Sequence, residues 1–287
     1  MRNIQKSDNA VVGIVATFLI VGLIVAVISV LQTTYVPKWM EERESEHMSQ
    51  VADQFSQLKY AIDTHITTQK EDIPISTSIT LGSKEMPFLM STRAYGYLDI
   101  IPKEFTLNIN NETKTEEVLL GDIQYSSINA YFIDQIYVHE AGGIILSQNN
   151  GNIMFIKPTF LVKGEREVNL TFKVTNITAI GGKKSISGFG TYPIQTEFIK
   201  NTNTIKLTDI SDFKIKSKYL NAWKTLINST FIKEGLNFYG YGENYTIEIV
   251  NDELLIEFSD ETIVNFNLII YQIGAQIFPG WVENTKG

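Results

Sequence analysis

Three histidines, His47, His65 and His139, are the side chains of this 287-residue chain best suited to metal or proton chemistry. No pair of them has ligand spacing. His139-Glu140 is half of a His-Glu-x-x-His zinc pattern, but Gly143 stands where the second histidine belongs and the surrounding residues read as strand rather than helix. Asp99, Asp122 and Asp134 could supply an acid and a base, yet nothing in the linear order brings two carboxylates together. Gly181-Gly182-Lys183-Lys184-Ser185 lacks the frame of a phosphate loop, and Gly188-Phe189-Gly190 reads as a bend between strands. Neither catalysis nor a cofactor nor a metal is expected from these residues.

What must position everything else is an apolar run over residues 10–31, AVVGIVATFLIVGLIVAVISVL, with no charge between Asp8 and Lys38. As a helix it reaches about 33 Å, enough to cross a hydrocarbon core of about 30 Å. It is too long for the apolar part of a cleaved secretory signal, and no small-residue pair follows it, so a retained anchor is expected. Arg2 and Lys6 lie on the short side, which predicts a cytoplasmic N terminus and an external C-terminal bulk. Tyr35 and Trp39 suit an interfacial belt. Pro37 predicts either a kink in one continuous helix or the first turn of a new one.

Beyond the anchor, a hydrophobic content of 44% supplies material for a real core. The net charge of −8 excludes a nucleic-acid partner, which requires a basic surface. With no cysteine, the chain has neither a disulfide framework nor a thiol nucleophile. Met48, Val51, Phe55, Leu58 and Ile62 recur at three- and four-residue steps, predicting an amphipathic helix over about 37–69. Its stripe needs cover, from the chain's own β domain or from a neighbouring copy.

From Asp72 onward the pattern becomes short β runs separated by turn signals. Strands are expected at 75–81, 97–101, 105–109, 117–120, 130–138, 143–147, 153–156, 160–162, 167–175, 191–199, 204–207, 213–217, 245–250, 253–258 and 263–277. Asn149-Asn150-Gly151 lies in a hairpin loop, and residues 219–230 carry Leu220, Trp223, Leu226 and Ile227 at helical spacing. The expected fold is a long N-terminal helix, transmembrane then amphipathic, followed by a mostly antiparallel, sandwich-like β domain with one short helix. Its parts are a leader and membrane helix at 1–36, a stalk helix at 37–71 and a β-rich domain at 72–287, with 181–185 as the one internal boundary to consider. Asn111, Asn169, Asn176, Asn228 and Asn244 head acceptor sequons for N-glycosylation.

Lys6-Ser7-Asp8-Asn9-Ala10-Val11-Val12-Gly13 followed by the apolar helix resembles the N terminus of archaeal type IV pilin-like proteins. The resemblance implies leader cleavage between Ser7 and Asp8 and assembly of the apolar helices at a filament core. Two departures stand out: Ala10 replaces the proline of many archaeal pilins, and Val12 replaces the glutamate of bacterial ones. Tyr35-Val36-Pro37-Lys38-Trp39-Met40-Glu41, Arg93-Ala94-Tyr95-Gly96 and Tyr137-Val138-His139-Glu140-Ala141-Gly142-Gly143 are similar to a family of archaeal surface proteins of unassigned function. Gly13, Ala16 and Gly22 would permit close helix contacts. The expected partners are membrane lipid and identical subunits or other pilins.

The leading expectation is therefore a non-catalytic, pilin-like surface structural protein. A monomeric membrane-tethered adhesion module is the alternative. An ectoenzyme with a site dispersed along the sequence is the third.

Overall fold

A computed structural model describes residues 4–83, 94–149, 151–164, 167–236 and 244–277. The chain opens with helix α1 (Ile4–Val30), passes through a π-helical turn (Leu31–Tyr35) and continues as helix α2 (Val36–Thr68). Pro37 falls in the first turn of α2, and the Val36 N–H bonds to the Leu31 carbonyl, five residues back. A proline lacks an N–H and crowds the carbonyl four residues earlier, so a wider turn just before it lets the rod continue. Both alternatives for Pro37 are thus partly realised: the helix is unbroken, and α2 begins at its proline. Gln69, in the left-handed conformation at φ 48°, ends α2 by returning its N–H to the His65 carbonyl.

Every residue of α1 from Val11 to Val30 is exposed, and it carries the one stretch among the described residues that is long and apolar enough to cross a membrane. Thr17 and Ser29 on α1 and Thr33 in the π-helical turn each donate to the carbonyl four residues earlier, at 2.9, 2.8 and 2.7 Å.

The remaining chain forms two packed sheets. The smaller has the order β1 (Ile75–Thr80), β10 (Thr191–Leu207), β14 (Ile263–Ile277), β8 (Glu167–Ala179) and β7 (Thr159–Lys163). The larger runs β12 (Tyr245–Val250), β13 (Glu253–Phe258), β11 (Ile210–Lys216), β2 (Tyr95–Asn111), β3 (Thr115–Ile128), β4 (Gln135–Glu140), β5 (Gly143–Gln148) and β6 (Gly151–Ile156), with β9 (Ser185–Gly188) paired to β2. All pairings are antiparallel except β14 with β8. Helix α3 (Leu220–Lys233) lies where the sequence places its amphipathic segment.

Several expected strand breaks are bulges instead. Runs 97–101 and 105–109 belong to one strand, β2, in which the register shifts between Ile101 and Phe105 and Lys103 sits at φ 58°. A bulge bends a strand without ending it, so Pro102 interrupts the ladder locally. Runs 191–199 and 204–207 join likewise as β10. The expected strand at 130–138 begins only at Gln135, because residues 129–134 form a loop held by side chains. Residues 181–185 make the turn from β8 into β9.

Two apolar clusters fill the interior end to end, and β2, β3, β8, β10 and β14 run through both. One gathers Met48, Val51, Phe55, Leu58 and Ile62 against Leu98, Tyr125, Tyr137 and Ile144. The stripe of α2 is thus covered by the chain's own β domain, each of the five being at most 2% exposed. The other cluster surrounds α3, with Trp223 and Phe231 against Phe105, Phe172 and Tyr245. Strands β4 and β5 contribute to both: Tyr137 and Ile144 to the first, Val138 and Ile145 to the second. Helix α2 is also fixed by polar groups. Glu44 accepts the N–H groups of Ala130, Tyr131 and Phe132 at 3.1, 2.7 and 2.7 Å. His47 and His65 donate through Nε2 to the carbonyls of Thr80 and Thr196, and the Gln54 amide accepts the Thr80 N–H and donates to its hydroxyl.

Candidate functional site

The seam between the clusters is polar. At Gly121 in β3 a Cβ would come within 2.2 Å of the Ile177 carbonyl, so only glycine permits this approach of the two sheets. Its N–H donates to Asn176, whose amide donates in turn to Gln272. The next residue is Asp122. The β3–β4 register pairs Ile123 with His139, which sets Asp122 opposite Glu140 on the α3 side. Both carboxyls are fully buried.

Glu140 has donors. The Trp223 indole Nε1 donates to its Oε1 at 2.5 Å, and the Ser217 hydroxyl donates to Oε1 and Oε2 at 2.8 and 3.0 Å. Ser217 Oγ accepts the Tyr219 N–H, and the Tyr219 hydroxyl donates to Gln124. Asp122 has no donor on either oxygen and lies against Glu140. Two buried carboxyls facing each other repel when both are ionised, so the pair favours protonation, Asp122 more than Glu140 because it lacks donors. Burial raises Asp122 well above the usual carboxylate range, and the charges of Glu140 and Glu104 add to this. Burial also pushes Glu140 up to about 7, opposed by the hydrogen bonds from Trp223 and Ser217.

Ser217 is the outer edge of this network. It lines an open cavity of about 730 Å³ together with Lys103, Glu104, Lys218, Leu220 and Asn221. Lys218 pairs with Glu104 at 2.6 Å on its rim.

Of the carboxylates singled out from sequence, only Asp122 meets another among the described residues. Asp134 caps the 129–134 loop through the Asn129 N–H, and Asp99 stays on β2 opposite Gln124. His139 is fully buried on β4; burial, then the charge of Lys59, pushes it down to about 3. His47 and His65 serve as ties of α2, and no three His, Asp or Glu side chains among the described residues come together as a metal site. In the sequence Glu140 stands out only as the neighbour of His139. A charge inside the apolar run Ile136–Ile145 was the available signal, but its partner lies 18 positions away.

The other candidate positions fall as follows. Gly13, Ala16 and Gly22 are exposed on α1, while Ser7 and Asp8 lie in its first turns. Tyr35 and Trp39 are exposed, with ring centroids 5.9 Å apart. Asn169 is exposed on β8. The amide nitrogens of Asn111, Asn176 and Asn244 donate to other groups, and the Asn228 oxygen on α3 accepts the Tyr245 hydroxyl.

The chain matches no protein-family model, no curated protein and no solved structure.

Proposed function

We propose that the chain is a membrane-anchored surface structural protein of pilin-like type, its β domain held outside the cell on one rigid helical rod. The observation that carries this reading is the rod itself: α1 is neutral and fully exposed from Val11 onward, and it runs unbroken into α2, which is buried in the β domain. An apolar helix of that length has two stable surroundings, lipid or a bundle of identical helices. Arg2 and Lys6 favour a cytoplasmic N terminus. Such a role needs no catalysis.

Burial of the α2 stripe inside its own domain favours a second reading, a solitary tethered adhesion module, because it leaves that stripe no surface for a neighbour. N-terminal sequencing of native protein combined with crosslinking in intact membranes separates the two. Ladders of identical subunits with a mature N terminus at Asp8 support assembly. A lone band still beginning at Met1 removes it.

A further inference from the structure

We propose that Ser217 is a nucleophile activated by Glu140, giving the β domain an acyl-transfer activity toward small esters that carry an anionic group. This goes beyond the anchoring role and rests on different residues.

The components of such a site stand together. Ser217 Oγ is half-buried, opens onto the cavity and donates its proton to a carboxylate at 2.8 Å, within the range a general base requires. Glu140 is oriented by the Trp223 indole and by Asp122. Among the groups facing it, Glu104 and Asp122 are acidic, Lys218 is the cation and Tyr219 is neutral, its phenol raised by burial. With Asp122 holding one proton, Glu140 stays ionised above about pH 7 and can take another. Leu220 and Asn221, which line the same cavity, open α3; the Ala222 amide is taken by Asn152 Oδ1 at 2.7 Å, so the amides of Leu220 and Asn221 are the ones left to favour a developing oxyanion. Lys103 and Lys216 also line it and make no ion pair with a described residue, which selects a substrate with a negative group beside the ester.

The chemistry balances without a further reagent. Ser217 Oγ bonds to the ester carbonyl carbon while its proton passes to Glu140, and the carbon–alkoxide bond then breaks as Glu140 returns the proton to the leaving oxygen. Water attacks the acyl-serine by the same route, releasing the acid and restoring Ser217. Asp122 is a positioning residue: it touches Glu140 and not the substrate.

The test uses the full chain in detergent micelles, with a fluorophosphonate probe and with p-nitrophenyl hemisuccinate beside p-nitrophenyl acetate. The expected result is a covalent label on Ser217 by mass spectrometry, faster turnover of the hemisuccinate, and a rate that rises with pH through a midpoint near 7. Ser217→Ala abolishes label and turnover, and Glu140→Gln slows both by about 100-fold. Asp122→Leu moves the acidic limb of the profile to higher pH by removing a hydrogen bond that favours ionised Glu140, while Asp122→Asn keeps a donor and leaves the limb in place, a split that a purely structural role would not produce. It also decides the matter should Glu140→Gln fail to fold. Folded wild-type protein with no label at Ser217, an unchanged rate in folded Glu140→Gln or an unmoved limb in folded Asp122→Leu overturns the proposal. Equal rates on the two esters overturn its anionic preference.

Discussion

Two fully buried glutamates, Glu44 on α2 and Glu140 on β4, meet opposite surroundings. Glu44 is met by three backbone N–H groups from one loop, whereas Glu140 faces another carboxyl and two side-chain donors. The first arrangement satisfies an acceptor and ties a helix to the domain. The second favours a protonated carboxyl and holds α3 through Trp223 and Ser217. Burial alone therefore does not decide what a carboxyl does; the count and kind of donors around it do.

Substitutions at the two glutamates and their partners should have unequal effects. The largest effect is expected at Trp223, which both fills the α3 cluster and donates to Glu140: Trp223→Ala should cost about 4 kcal/mol in denaturant unfolding. Glu44→Ala should cost about 3 kcal/mol, because three amides lose a charged acceptor. A cost below about 1 kcal/mol there would mean that water replaces it.

The pH dependence of stability should report on the Asp122–Glu140 pair. Asp122 and Glu140 are both raised in the folded state, so their stabilisation is complete below the unfolded values and fades as pH rises through the folded ones. Stability should fall between about pH 4.5 and 7 on account of Glu140, by at most about 3 kcal/mol. Asp122→Asn should flatten that slope, because an amide donates to Glu140 without titrating. The smallest effect is on modification. In a glycosylating host, occupancy measured by glycopeptide mass spectrometry should centre on Asn169, while Asn111 and Asn176 stay bare because their amide nitrogens are engaged.

Much of the fold was legible because its signals are local. Met48 to Ile62 announce a helix face by spacing, and residues 263–277 announce a strand by alternation. The bulges at Lys103 and between Ile199 and Asn203 were not legible, since Pro102 and a polar run look the same whether a strand ends or bends. The seam was less legible still. Asp122 was one aspartate among several candidates, and Ser217 carried no motif at all.

Length and the absence of charge are properties of consecutive residues, so the sequence alone determined that residues 10–31 form an apolar helix able to span a bilayer, and that a stripe would follow it. Only the tertiary structure decided what covers that stripe and which carboxyls meet. Both depend on strand register, which brings Asp122 to Glu140 across a β3–β4 pair and Ser217 to them from the segment between β11 and α3. Register is a collective outcome of packing two sheets, and no window of the chain contains it.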